Sequence, residues 1–146
     1  MTSIRSLLSD PRTRAVGVAV VAAGILLASV VDPGSAGEVT RALGPLGVFG
    51  LDKWVHAAAY GTLAAVTTYA LAARTDVRRP STLLAVVAVV VAYGVGIELV
   101  QSAVPARSFD VTDMAANGTG ALVAVVAWVL VGRRVSVVPL RPATDD

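Results

Sequence analysis

The sequence predicts an all-α integral membrane protein, a bundle of four transmembrane helices with both termini in the cytoplasm. Three observations carry that prediction. Charge is scarce: of 146 residues, 15% are charged and 55% hydrophobic, where an average soluble domain has about a quarter charged residues. The mean hydropathy of +0.74 holds over the whole length, more than one buried core helix can produce. The apolar residues also gather in four runs, and twenty helical residues cover about 30 Å, the thickness of a bilayer core. The runs are rich in valine, which in water favours strands. In lipid every backbone N–H and C=O has to be satisfied within the segment, so the helix prevails.

The first run, 15–31, reads AVGVAVVAAGILLASVV. Arg5, Arg12 and Arg14 before it and Gly34-Ser35-Ala36 after it have the layout of a cleaved signal peptide. The run is longer than the usual apolar core of about 7–15 residues, which favours a retained span. The second run, 54–73, is WVHAAAYGTLAAVTTYALAA; the third, 81–104, opens STLLAVVAVVVAYGVG and closes IELVQSAV; the fourth, 113–132, includes GALVAVVAWVLVG. The expected organisation is an N-terminal tail over 1–14, a transmembrane domain over 15–132 with its polar motifs in 51–124, and a C-terminal tail over 133–146.

Arginine placement sets the expected direction. Arg5, Arg12 and Arg14 precede the first run, Arg74, Arg78 and Arg79 join the second to the third, and Arg133, Arg134 and Arg141 follow the fourth. The other two connections hold only Arg41 with Lys53, and Arg107. The positive-inside rule then puts both termini inside the cell membrane and the connections at 32–52 and 105–112 outside. Basic residues in small clusters at segment ends are topology signals, so the net charge of +2 argues for no nucleic-acid partner. The lipid bilayer is the expected surrounding. Cysteine is absent, which excludes disulfides and thiolate zinc sites.

With that direction, the uncommon polar residues collect in one layer at the outer face. Asp52, Lys53, His56 and Tyr60 lie in the outer half of the second run, Glu98 and Gln101 near the outer end of the third, Arg107 and Asp110 in the outer connection, and Asp113 and Asn117 at the start of the fourth. Asp52, His56 and Tyr60 recur four apart, Glu98 and Gln101 three apart, Asp113 and Asn117 four apart, so each helix presents a stripe. A carboxylate at the bilayer centre costs on the order of 2.5–3.5 kcal/mol on insertion scales, less toward the interface. Turning the stripes toward one another lowers that cost. Small residues at 57, 61 and 65, at 92 and 96, and at 116, 120 and 124 would let the same helices approach closely.

Structural roles compete for several of these residues. Asp52 and Lys53, read as preceding the second helix, suit a dipole-stabilising acid and a snorkelling lysine. Trp54 suits an interfacial aromatic belt. Asp110 and Asp113 have the spacing of caps for the fourth helix, and Asn117 that of an interhelical hydrogen bond. Glu98 is hardest to explain without a partner, which Arg107, His56 or a proton would supply. Arg107 is then a counter-ion or an anion clamp.

DKWVHAAAYGTLA at 52–64, ELVQ at 98–101 and PARSFDVTDMAANGTGA at 105–121 resemble the VanZ-like family of small integral membrane proteins. The shared pattern is Asp-Lys, His and Tyr on one helix, Glu-x-x-Gln on the next, then Pro, Arg, Asp, Asp, Asn and Gly leading into the last. Ala124 stands where the family usually has a further glycine. The group takes its name from a teicoplanin-resistance factor. The resemblance implies a membrane location and no particular reaction, and a resistance phenotype is not carried over.

Two functional readings follow. The first is a polar site at the outer face that binds or modifies a lipid-linked or cell-envelope component, with Asp52, Lys53, Tyr60, Gln101, Arg107, Asp110 and Asn117 contacting the ligand. The alternative is a membrane hydrolase or transferase acting on a lipid head group, with His56, Glu98 and Asp113 as the catalytic acid/base candidates and Arg107 holding a phosphate. Neither Gly-x-Ser-x-Gly nor His-Glu-x-x-His occurs, so no hydrolase motif supports the alternative. No cofactor or metal is assigned; a metal version would draw on His56, Glu98 and an Asp of the fourth run, mostly oxygen donors that suit Mg, Mn or Ca. Transport is disfavoured because the polar residues do not continue to the inner face and no repeat is present, although an oligomer would supply more.

Overall fold

The structure is a computed structural model and describes residues 10–30, 50–103 and 110–134. Arg5, Arg41, Arg107, Arg141 and the Gly34-Ser35-Ala36 segment lie outside the described residues. Among the described residues there are four helices: α1 (Pro11–Val30), α2 (Leu51–Leu71), α3 (Pro80–Ser102) and α4 (Val111–Arg134). Three of them are long and apolar enough to cross a membrane: Pro11–Val30, Pro80–Ser102 and the Val111–Gly132 part of α4. α2 has the length, but His56, Tyr60, three threonines and Tyr69 dilute its apolar character.

Local chemistry explains where the helices start. Asp10 caps α1: its Oδ2 accepts from the Thr13 N–H at 3.1 Å and from Thr13 Oγ1 at 3.1 Å. Pro11 then takes the first helical position, where its missing N–H costs nothing. The helix therefore begins before the apolar run at residue 15. The Thr13 N–H also holds the Asp10 carboxyl below its ordinary pKa. Pro80 opens α3 in the same way. α2 begins at Leu51, so Asp52 and Lys53 sit inside its first turn and do not precede it. The Lys53 N–H already bonds back to the Gly50 carbonyl at 3.1 Å.

Polar ties fix the direction of each helix. Arg14, early in α1, donates from Nη1 to the Tyr69 carbonyl near the end of α2 at 3.2 Å, and its guanidinium lies 4.1 Å from the centre of the Tyr69 ring. Arg78, before α3, donates to the Gly132 carbonyl near the end of α4 at 2.9 Å. At the opposite end Gln101 Nε2 of α3 donates to the Ser29 carbonyl of α1 at 3.2 Å. The helices thus run alternately up and down, and the described arginines collect at the end where α1 and α3 begin.

α2 and α4 form the closest pair, and α1 packs on α2 and α3. Tyr60, Leu63, Ala64, Val86, Val90, Ala121 and Val125 build the core, while Val20, Leu27, Leu84, Val89, Val123 and Leu130 face outward. Polar Thr68, Glu98, Gln101 and Asn117 are buried instead. Apolar outside and polar inside is the arrangement that lipid favours and water does not. α2, the one described helix short of the apolar character needed to cross alone, touches all three others.

α1 has no fully buried residue, so its ties matter more than its packing. Tyr93 Oη donates to the Ala22 carbonyl at 2.6 Å. Tyr93→Phe is expected to weaken α1 docking by about 1 kcal/mol, the usual net value of one such bond. Faster proteolysis of α1 in detergent, with α2–α4 intact, is the readout; unchanged protection of α1 would refute the tie.

Candidate functional site

The start of α2, the end of α3 and the start of α4 meet at the end of the bundle away from the described arginines. Lys53, the only lysine, is the hub. Its Nζ stands 3.0 Å from Asp52 Oδ2, 2.8 Å from Asp110 Oδ2 and 2.5 Å from Asp113 Oδ1. The ammonium side chain is only 19% exposed, so its three donors are spent on carboxylates and not on water. The hydrogen bond from Lys53 is the main reason that the Asp110 carboxyl lies well below the ordinary carboxylate range.

Asp110 divides its two carboxylate oxygens between the turn into α4 and Lys53. Its Oδ1 accepts from the Thr112 N–H at 2.7 Å and from Thr112 Oγ1 at 2.6 Å, which shapes the turn into α4, while Oδ2 receives Lys53. Its own N–H donates to Glu98 Oε2 at 3.1 Å. Glu98, 1% exposed, is therefore met by a backbone amide. Its Oε1 is buried without a hydrogen-bond partner among the described residues.

One turn further in, His56 Nδ1 lies 3.0 Å from Asn117 Oδ1, and His56 Nε2 lies 3.7 Å from Asp113 Oδ2. The Tyr60 ring stacks parallel below the imidazole, with centroids 6.3 Å apart and planes within 4°. Tyr60 is 1% exposed and forms the floor of the site; its hydroxyl has no partner among the described residues. The stripes drawn from spacing do face one another, with one exception. Gln101 turns away to the Ser29 carbonyl of α1 and does not join the cluster. Arg107 lies outside the described residues.

The α2–α4 contact that brings these residues together rests on glycine. A Cβ on Gly120 would overlap the Ala57 carbonyl group, and one on Gly61 would lie 3.1 Å from the Gly120 carbonyl oxygen. Beside this seam runs a groove of about 590 Å³, which begins at Trp54 and is lined by Ala57, Gly61, Ala65, Gly120 and Val123 among others. It is almost wholly apolar and starts next in sequence to Lys53.

A family model described as VanZ/LLP1 matches residues 15–132, most of the chain and part or all of each helix. The chain belongs to the VanZ/LLP1 family. Comparison with curated proteins and with solved structures finds no match. In this VanZ/LLP1 protein, two residues that shape the site were missed by sequence reasoning. A Cβ on Gly94 would come within 2.9 Å of Asn117 Nδ2 and 3.0 Å of the Tyr60 ring, so this glycine makes room for both. Tyr93 beside it has its ring 6.3 Å from that of Tyr60. The Tyr-Gly pair in the middle of an otherwise aliphatic run was the available signal.

Proposed function

We propose that this VanZ/LLP1 protein crosses the cell membrane four times with both termini inside, and that its polar cluster faces outward and binds the head group of a lipid-linked or envelope component. Crossing by α2 is supported by its antiparallel seat between three apolar helices, since polar residues that face protein cost far less than polar residues that face lipid. The arginines at the far end support the direction.

One observation carries the ligand class: an apolar groove begins at Trp54, next in sequence to Lys53 of the polar cluster. A polar head at Lys53 and the carboxylates, with a chain along Ala57, Gly61 and Val123, matches an amphipathic molecule better than a soluble one. Native mass spectrometry of the full chain in detergent tests the reading, wild type beside Glu98→Gln. A retained lipid mass lost from an equally stable variant is the expected result. No retained mass in the wild type, with a variant that melts well below it, would turn the cluster into a structural device.

The enzyme reading draws on the His56 pair. A ring nitrogen anchored by Asn117, with the other facing Asp113, is an arrangement suited to moving a proton. Turnover of the retained lipid by wild type and not by His56→Gln would favour it over binding alone.

A further inference from the structure

Among the described residues, three side chains in the cluster each hold an acceptor atom without a hydrogen bond. His56 Nδ1 faces the Asn117 amide oxygen at 3.0 Å. An amide oxygen only accepts, so Nδ1 carries a ring proton, and in the neutral imidazole Nε2 keeps its lone pair. Nε2 looks at Asp113 Oδ2 across 3.7 Å, too long for a hydrogen bond. Asp113 has committed its other oxygen to Lys53. Glu98 has committed Oε2 to the Asp110 N–H, and its Oε1 is buried without a partner among the described residues. One imidazole nitrogen and one carboxylate oxygen from each of Glu98 and Asp113 lie within 4.8 Å of one another.

Acceptors that converge in a buried place repel unless something positive lies among them. Lys53 is already shared by three aspartates. A proton bridges two acceptors, whereas a metal ion serves three. We infer that His56, Glu98 and Asp113 form a binding site for a divalent cation. Ligands about 2.1 Å from one ion stand roughly 3.0–4.2 Å apart, according to the angle between them. The widest separation here has to close by only about half an ångström to reach that range. Asn117 does what a partner of a metal-bound histidine does: it takes the other ring N–H and fixes the tautomer and orientation. Two hard oxygens with a single imidazole suit Mn²⁺ or Mg²⁺, and the nitrogen disfavours Ca²⁺.

The ion also bears on ligand choice. Among the described residues Asp52, Asp110, Asp113 and Glu98 outnumber Lys53, so there a phosphorylated head group meets repulsion unless a cation offsets it. That step rests on the head-group reading above; the ion itself does not.

The test uses the full chain in detergent, delipidated and treated with chelator, and titrated with Mn²⁺ by electron paramagnetic resonance. One saturable equivalent is expected, with nitrogen coupling from an imidazole and a melting temperature that rises with Mn²⁺. Glu98→Gln and Asp113→Asn should each weaken Mn²⁺ binding at least tenfold. Asp76→Asn, in the connection at the opposite end, should leave it unchanged. Should the carboxylate variants not fold, loss of the nitrogen coupling in His56→Gln decides the matter. A folded wild type that takes up no Mn²⁺, or uptake without nitrogen coupling, overturns the site. Because lipid is stripped beforehand, retained lipid in the earlier experiment with no Mn²⁺ here would remove the ion and leave lipid binding standing.

Discussion

Gly120→Ala is expected to lower the melting temperature of the purified protein by more than any other single added methyl group in the bundle. The new Cβ would overlap the Ala57 carbonyl oxygen and stand 2.7 Å from the Ala57 carbonyl carbon and 2.8 Å from its Cα. All three are atoms in the middle of a helix, which cannot rotate aside as a side-chain tip can. Relief requires α2 and α4 to move apart along their closest contact. Overpacking of this kind costs about 1–3 kcal/mol, and a clash with rigid backbone belongs at the upper end. Separation at Ala57 also pulls His56 from Asn117 one turn away, so retained ligand should be lost with stability. Gly96→Ala is the control, because nothing lies within 4 Å of its added Cβ and alanine is the better helix former by about 1 kcal/mol. A Gly120→Ala protein that melts with the wild type would mean that α2 and α4 do not meet in this register.

Lys53→Met should be nearly as damaging, through charge. Removal of the ammonium leaves Asp52, Asp110 and Asp113 close together with no cation among the described groups, beside the carboxylate of Glu98. Loss of one member of a buried ion pair costs about 3–5 kcal/mol, and exposed pairs are worth at most about 1 kcal/mol. The carboxylates here lie between those limits, at 16–40% exposed, so about 2–3 kcal/mol is expected. Asp113→Asn in the Lys53→Met background should recover part of it. Acidity gives an independent check. Because Lys53 depresses the Asp110 pKa in the folded protein, this contribution is complete above the unfolded value of about 4 and disappears as pH falls through the lower folded value. The difference in melting temperature between wild type and Lys53→Met should therefore be widest near neutrality and shrink in strong acid. A difference that is constant with pH would point to lost packing of the lysine stem.

The sequence makes the layering of this protein easy to read and its partnerships hard. Apolar runs name the helices because lipid permits so few alternatives, and the polar residues declare their shared layer through the order of the runs. Helix starts are less legible: Asp10 with Pro11 moved α1 outward, and Gly50 let α2 begin before Asp52. Partner choice is not legible at all from spacing. Gln101 and Glu98 lie on one stripe, yet α1 takes the first while Asp110, in the turn into α4, takes the second. Gly120 looked like one of many small residues in an Ala- and Gly-rich chain, and only the interaxial contact distinguishes it from Gly96.

The polar character of α2 has a consequence for how the chain is made. The ribosome completes α2 before α4 exists, and α4, with Asp110 just before it, supplies the interhelical partners of His56 and Lys53. If α2 crosses as proposed, it leaves the exit tunnel as the segment least able to enter lipid unaided. Its membrane entry is then coupled to synthesis of residues up to at least Asn117, so a nascent chain stalled after α2 should stay in the insertion machinery and one stalled after α4 should be released into the bilayer.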